Sequence, residues 1–169
     1  MKHFKATWGK ALHIISWCTT ALFVALPVTL FLQPHPHPGQ TGLRLIGLLL
    51  LLLLLGCLLL TVRGYTITPG TLLIHRLLWK TRIDLAYFRS ATPDPEAFKG
   101  ALRIFGNGGL FSFTGFYWSK RLGLFRAYAS CLHHCVVLRF TGRKVVVSPD
   151  DPADFVRELT SDKATSNKS

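Results

Sequence analysis

From Leu43 to Val62 the chain holds no charged residue after Arg44 and no proline. At 1.5 Å rise per residue, a helix over this run spans about 30 Å, the hydrocarbon thickness of a bilayer. The pattern predicts a transmembrane helix over 43–62. It splits the chain into a short apolar N-terminal part and a polar, turn-rich part that must fold on one side of the membrane.

A second apolar run, Ala11 to Leu32, follows a basic start with Lys2, Lys5 and Lys10. A secretory signal peptide begins the same way. This run is longer than a usual signal core, and no small-x-small cleavage site precedes Gln33, so retention as a transmembrane helix is favoured. Pro27 would kink it, which neighbouring helices or hydroxyls such as Thr29 can accommodate. His13, Ser16, Thr19 and Thr20 form a polar face suited to packing on the second helix. A proton relay would want carboxylates, and the apolar part has none.

The connection 33–42 is punctuated by prolines and makes the helices a hairpin. His35 and His37 within it would supply two imidazoles, too few for a firm metal site, and an extended polyproline-like turn explains them as well. Basic residues are retained on the cytoplasmic side. The lysines of residues 1–10, with Arg63, Arg76, Lys80 and Arg82 after the second helix, outweigh Arg44 in the connection. Both termini are therefore expected in the cytoplasm, the connection 33–42 outside, and the chain in the inner membrane.

The formal charge is +12, with 20 Lys and Arg against 8 Asp and Glu, and every acid lies at or after Asp84. Beside membrane helices this asymmetry is topological, so no nucleic-acid partner is expected. Cys18 and Cys57 sit inside the two apolar runs and act there as small apolar residues. Cys131 and Cys135 remain for chemistry.

From Tyr65 the pattern becomes that of a β domain. Tyr65 to Ile67 alternates, Thr68-Pro69-Gly70-Thr71 is a turn, and Leu72 to Leu77 and Trp79 to Leu85 read as strands. Ala91 to Ala97 reads as a loop. A strand from Ala101 to Phe105 would close at Gly106-Asn107-Gly108-Gly109, where glycine and asparagine tolerate positive φ. Phe111 to Tyr117 and Leu122 to Tyr128 alternate again, and Val136 to Phe140 with Lys144 to Val147 form a hairpin through Thr141-Gly142-Arg143. Ser148 to Pro152 supplies capping residues and a proline before a short helix, Ala153 to Leu159, with Phe155, Val156 and Leu159 on one side. The polar tail 160–169 is expected to be disordered.

Arg103-Ile104-Phe105-Gly106-Asn107-Gly108-Gly109, Gly115, Tyr128-Ala129-Ser130, Val147-Ser148-Pro149-Asp150 and Phe155 together resemble bacterial pleckstrin-homology domains that follow one or two membrane helices. The resemblance covers 65–159. It implies an α+β fold: two transmembrane helices, then a PH-like antiparallel β-barrel or sandwich capped by one C-terminal α-helix. The motif residues also have structural uses. Gly106 and Gly109 would turn a strand, Ser148 or Asp150 with Pro149 would start the helix, and Phe155 would fill the barrel mouth. Eukaryotic relatives hold inositol phosphates with bases beside the first hairpin; the Thr68 to Thr71 turn has none, so that function is not carried over.

No Gly-x-Ser-x-Gly elbow, phosphate loop or His-Glu-x-x-His helix occurs, and the glycine run lacks the lysine a phosphate cradle needs. The chain is expected to be non-enzymatic and without a cofactor. If extended, Cys131, His133 and Cys135 would share one face and offer zinc two thiolates and an imidazole, the basis of a rival reading as a metal or redox sensor. The segment lies between two strands, however, and no fourth ligand follows at a familiar spacing. Arg76, Lys80, Arg82, Lys120, Arg121 and Arg126, with Trp118, are the candidates for contact with anionic headgroups, each base worth about 1 kcal/mol near such a surface. The partners expected are the bilayer itself and either anionic lipid or a membrane protein.

Overall fold

In this computed structural model, residues 2–6, 8–33 and 40–166 are described. The connection with His35 and His37 lies outside them, as do the last three residues of the tail.

Two apolar helices, α1 (Lys10–Leu32) and α2 (Gln40–Leu59), pack side by side. Their apolar spans, Leu12–Leu32 and Thr41–Leu59, have mean hydropathies of 2.0 and 2.6 and are long enough to cross a bilayer. Gly47 makes the contact possible, because a Cβ there would stand 3.2 Å from the Pro27 ring. The Thr29 hydroxyl, two residues on, donates to the Leu26 carbonyl at 2.8 Å. α2 stops at Leu59, three residues before the apolar run does. The Leu60 carbonyl is taken by side chains of the domain, and Arg63 N–H donates to the His75 carbonyl at 2.8 Å, so the chain has left the helix for a sheet.

The domain is a sandwich of two sheets. The first contains β1 (Lys2–Lys5), β2 (Gly64–Thr68), β3 (Thr71–His75) and β4 (Lys80–Asp84) in that order, all antiparallel. β1 does not appear in the sequence pattern. Four residues with two lysines make a strand only because the helix hairpin returns the chain beside them: Lys2 pairs with Ile67 and Lys5 with Gly64. Pro69 and Gly70 form the β2–β3 turn, with Gly70 at φ 70°.

The second sheet runs β5 (Phe88–Pro93), β9 (Val136–Phe140), β10 (Arg143–Val147), β8 (Gly123–Ala129), β7 (Ser112–Ser119), β6 (Leu102–Leu110). It is not wholly antiparallel, since β10 lies parallel to β8 with Val146 opposite Ala127. Two expectations about strand limits change here. Ala91 to Pro93 belongs to β5 instead of a loop, because each pairs with β9, Ala91 with Leu138 and Pro93 with Val136. The glycine run does not close a strand either. β6 continues through Gly106 and Gly109, both at φ 116°, and the turn comes at Phe111.

α3 (Pro152–Ser166) closes one end of the sandwich. Its N-cap is Asp151, whose carboxylate accepts the Asp154 N–H at 2.9 Å, with Pro152 in the first helical position. The helix runs seven residues past Leu159, through what reads in the sequence as the start of a disordered tail. No glycine or proline interrupts it, and the Asp162 carboxylate reaches back to accept the Gly70 N–H at 3.1 Å.

Alternation carries the core. Tyr65, Ile67, Leu72, Ile74 and Ile83 point from the first sheet, Tyr128, Val136, Leu138, Val145 and Val147 from the second, and Phe155 and Leu159 from α3. Phe4 joins them from β1, edge-on to Phe155 at 5.1 Å. The opposite face of the second sheet is buried as well. Phe125, Ala127, Val137 and Val146 pack there with Tyr117 under the turns that carry Ala97 and Phe98. Strands covered on both sides read as unbroken apolar runs, as Val136 to Leu138 does.

Candidate interaction surface

Two side chains hold the domain to the end of α2, and a third contact holds it to α1. Arg76 is buried, and its guanidinium donates to the Leu60 carbonyl at 2.8 Å and to the Thr81 hydroxyl at 3.1 Å. It lies over the rings of Trp79 and Tyr128, at 5.8 and 5.2 Å from their centroids. Ser112 from β7 donates to the same carbonyl at 3.3 Å. From the other side Phe111 N–H donates to the Ser16 hydroxyl of α1 at 2.9 Å. Phe111 holds that position at φ 63°, unusual for a residue with a Cβ.

Next to this junction the β3–β4 turn exposes Leu77, Leu78 and Trp79, with Leu78 74 % exposed. Arg63 and Lys80 stand exposed beside them. Every strand of the β6–β7–β8 wall has one end here and the other far away. From the β6–β7 turn at Phe111, the nine residues of β6 lead about 25 Å outward to Leu102. The basic set expected from the sequence is therefore divided. Arg76 and Lys80 are at the helix end, Arg82 and Arg126 half-way along the wall, and Trp118, Lys120 and Arg121 at the far end. Arg76 is internal, and Arg121 is engaged with Asp94 at 2.7 Å.

Between β4 and the wall runs a groove of about 270 Å³, lined by Arg82, Arg126, Arg143 and Lys144 together with Phe116 and Leu124. Arg126 is clamped between the rings of Phe116 and Tyr128, 5.3 and 5.1 Å from their centroids, and Arg143 lies over Phe140 at 4.8 Å. Arg143 and Lys144 come from the β9–β10 hairpin, where the sequence pattern puts Arg143 in the turn and Lys144 at the start of a strand. Their approach to Arg82 depends on sheet packing, and no local pattern announces it.

The Cys131 to Cys135 segment is a compact turn. Both thiols are buried while His133 and His134 face outward. The Cys135 thiol donates to the Cys131 and Leu132 carbonyls at 3.4 and 3.3 Å, and burial pushes its pKa up to about 12. Among the described residues no group of three His, Cys, Asp or Glu side chains is arranged to hold a metal.

The Val147 to Asp150 motif has a different use from helix capping. The Tyr65 hydroxyl donates to the Tyr128 carbonyl at 2.6 Å and accepts the Ser148 N–H at 3.0 Å. The Ser148 hydroxyl accepts the N–H groups of Ser130 and Cys131 at 2.8 and 3.2 Å, and Asp150 N–H reaches Lys5 of β1. Tyr128-Ala129-Ser130 and Ser148 thus form one buried crossing, with Phe155 beneath it. The family described as the bacterial PH domain matches residues 63–163, which span this crossing, both sheets from β2 onward and most of α3. The chain belongs to that family. No curated protein and no solved structure matches it. Within the PH domain, Gly106 and Gly115 sit opposite each other in β6 and β7. A Cβ on Gly115 would come within 2.1 Å of the Phe105 carbonyl oxygen, so this part of the motif serves close backbone approach.

Proposed function

We propose that the chain is a non-enzymatic interaction module anchored in the membrane, with its PH domain seated on the cytoplasmic face by the β3–β4 turn. α1 and α2 cross the bilayer as a hairpin. The basic residues at 2, 5 and 10 and those after α2 keep both ends inside. The observation that carries the reading is the exposed Leu77-Leu78-Trp79 set directly beside Leu60, where α2 ends. An indole and two leucines at that level suit the headgroup boundary, and Arg63 and Lys80 beside them suit anionic lipid. The non-enzymatic reading is supported by how the buried polar side chains are used: Tyr65, Ser148, Ser112 and Arg76 all hold backbone.

The test uses the full chain with Trp79 as its single tryptophan, the other three replaced by phenylalanine, in nanodiscs. Lipid brominated high on its acyl chains should quench Trp79, more so with anionic headgroups, and aqueous iodide should not. Trp79 fully open to iodide and indifferent to brominated lipid would overturn the seating. In cells, a cysteine at Gln40 should react with an external maleimide and one at Ser166 should not; labelling of Ser166 would overturn the topology.

A further inference from the structure

The first sheet, with four strands against six in the second, leaves β6, β7 and the Leu124 to Arg126 part of β8 uncovered. There the face that would be the inside of a complete sandwich stays open, with Phe105 75 % and Leu102 67 % exposed. Register puts the open side chains in rows: Leu102, Trp118 and Leu124 across the far end, Phe105, Phe116 and Arg126 across the middle. β4 borders this opening as the outermost strand of the first sheet. Half of its backbone is unused by β3. Arg76 and Trp79 are hydrogen-bonded partners at one end of the β3–β4 pair, and Gly70 and Leu85 at the other. In an antiparallel pair bonded and non-bonded positions alternate. Lys80, Arg82 and Asp84 therefore direct their N–H and C=O groups away from β3, toward the opening.

We propose that this opening receives an extended acidic segment of a partner protein, which adds to β4 as a fifth strand and covers the wall. Strand addition satisfies an exposed sheet edge with main-chain bonds and leaves alternate side chains to give specificity. One face of such a strand would lie on Phe116, Trp118 and Leu124. Its acidic side chains would meet Arg82, Arg126 and Arg143. Among the described residues no ion pair is made by Arg82, Arg126 or Arg143, while the Lys144 ammonium donates to the Leu122 carbonyl. Asp84, at the outer end of β4, is the acid nearest Arg82 in sequence. Charge also opposes the pairing of two copies by this face, since it would set one basic wall against another. The bilayer is disfavoured by direction: the helices leave from the Phe111 end of the wall, so a flat surface meets the strand ends and not the face.

This goes beyond the seating of the domain and uses other residues, so it is tested in nanodiscs of neutral phosphatidylcholine, where a failure of headgroup binding does not enter. The probes are fluorescein-labelled peptides of about six residues, the length of a typical strand. One alternates glutamate and valine, one alternates lysine and valine, and one carries proline in place of each valine. The glutamate–valine peptide should bind and the lysine–valine peptide should not, and the proline version should bind at least about tenfold more weakly, a loss of about 1.4 kcal/mol. Arg143→Glu, on an exposed turn, should weaken binding at least about tenfold. Arg82→Pro should bind more weakly than Arg82→Ala, because both lose the charge and only proline loses the outward N–H. Edge strands tolerate proline, and a thermal melt checks that this variant folds. Should it fail to fold, the proline peptide and Arg143→Glu still decide.

Absence of binding by the glutamate–valine peptide overturns the proposal. Equal binding by its proline version overturns it too, since charge alone would then suffice. So does efficient displacement of the peptide by phosphatidylglycerol vesicles, which would assign the groove to anionic headgroups.

Discussion

The Arg76 guanidinium donates to the Leu60 carbonyl at 2.8 Å, so a side chain from the β3–β4 turn caps the C-terminal end of α2. The last carbonyls of a helix have no intrahelical partner, and a cation there also complements the helix dipole. Burial lowers the Arg76 pKa, with the neighbouring Tyr128 acting in the opposite direction. The guanidinium stays charged throughout the usable pH range all the same. Domain and helix hairpin are therefore joined by hydrogen bonds as well as by chain connectivity.

Arg76→Ala leaves Leu60 with only the long bond from Ser112 and empties the space between Trp79 and Tyr128. Hydrogen bonds from a charged donor are worth about 1.5 to 3 kcal/mol. The full chain in detergent should lose stability of that order, read as a drop of several degrees in melting temperature. Arg76→Lys should recover only part of it, because one ammonium cannot span Leu60 and Thr81 while stacking on two rings.

Phe155 is fully buried between Phe4 and Tyr65, at 5.1 and 6.0 Å between ring centroids. Replacing it with alanine should cost about 3 to 5 kcal/mol. Phe4→Ala should cost nearly as much, although it lies two helices before the family match begins, and Phe105→Ala on the open wall should cost little. A fragment starting at Arg63 lacks β1 and its Lys2–Asp154 ion pair, and should melt below the full chain. Equal melting of the fragment and the full chain would show that β1 is dispensable.

The Phe4–Phe155 contact also marks where sequence reading stops. α1, α2, the β9–β10 hairpin and the start of α3 are legible because each is specified locally, by an unbroken apolar run or by a turn between alternating residues. β1 is not, because its partner lies beyond two helices. The glycine run misleads for a related reason: Gly106 and Gly109 do adopt positive φ, but within a bulged strand, and sequence cannot separate a bulge from a turn. Of the candidate surface, the bases are visible one by one. That Arg76 is internal, or that Arg143 shares a groove with Arg82, follows only from how the sheets pack.

The Cys135 thiol gives a pH dependence with a defined sign. Its pKa rises from an ordinary 9.0 to about 12 on folding, because burial penalises the thiolate. Below about 9 the thiol is protonated in both states and stability is at its full value. Between about 9 and 12 the unfolded chain releases a proton that the folded chain keeps, so stability falls by about 1.4 kcal/mol per pH unit. Buried Tyr65 and Tyr128, raised for the same reason, push the same way. Comparing the melting temperature of the wild type with that of Cys135→Ala at pH 8 and pH 10 isolates the thiol: the wild type should lose more of its stability between those two conditions. An equal loss would mean that the thiol is no more buried than in the unfolded chain.

Gly115 tests whether β6 and β7 are held by side-chain packing or by backbone approach. Its φ of 141° is one that residues with a Cβ rarely adopt, and an added Cβ would stand 2.1 Å from the Phe105 carbonyl oxygen and 2.8 Å from the Gly106 Cα. Neither obstacle is the movable end of a side chain. Gly115→Ala must therefore separate the strands or shift their register, and a shift by one residue would turn Phe116 and Trp118 to the opposite face. Gly142, at φ 83° in an exposed turn with nothing within 4 Å of where a Cβ would stand, carries the conformational penalty without the collision. Gly142→Ala should cost about 1 kcal/mol, the usual cost of positive φ for an L-residue, and Gly115→Ala distinctly more. Thermal melts of the two variants beside the wild type measure the difference, and equal shifts would mean that β6 and β7 lie farther apart than their paired glycines require.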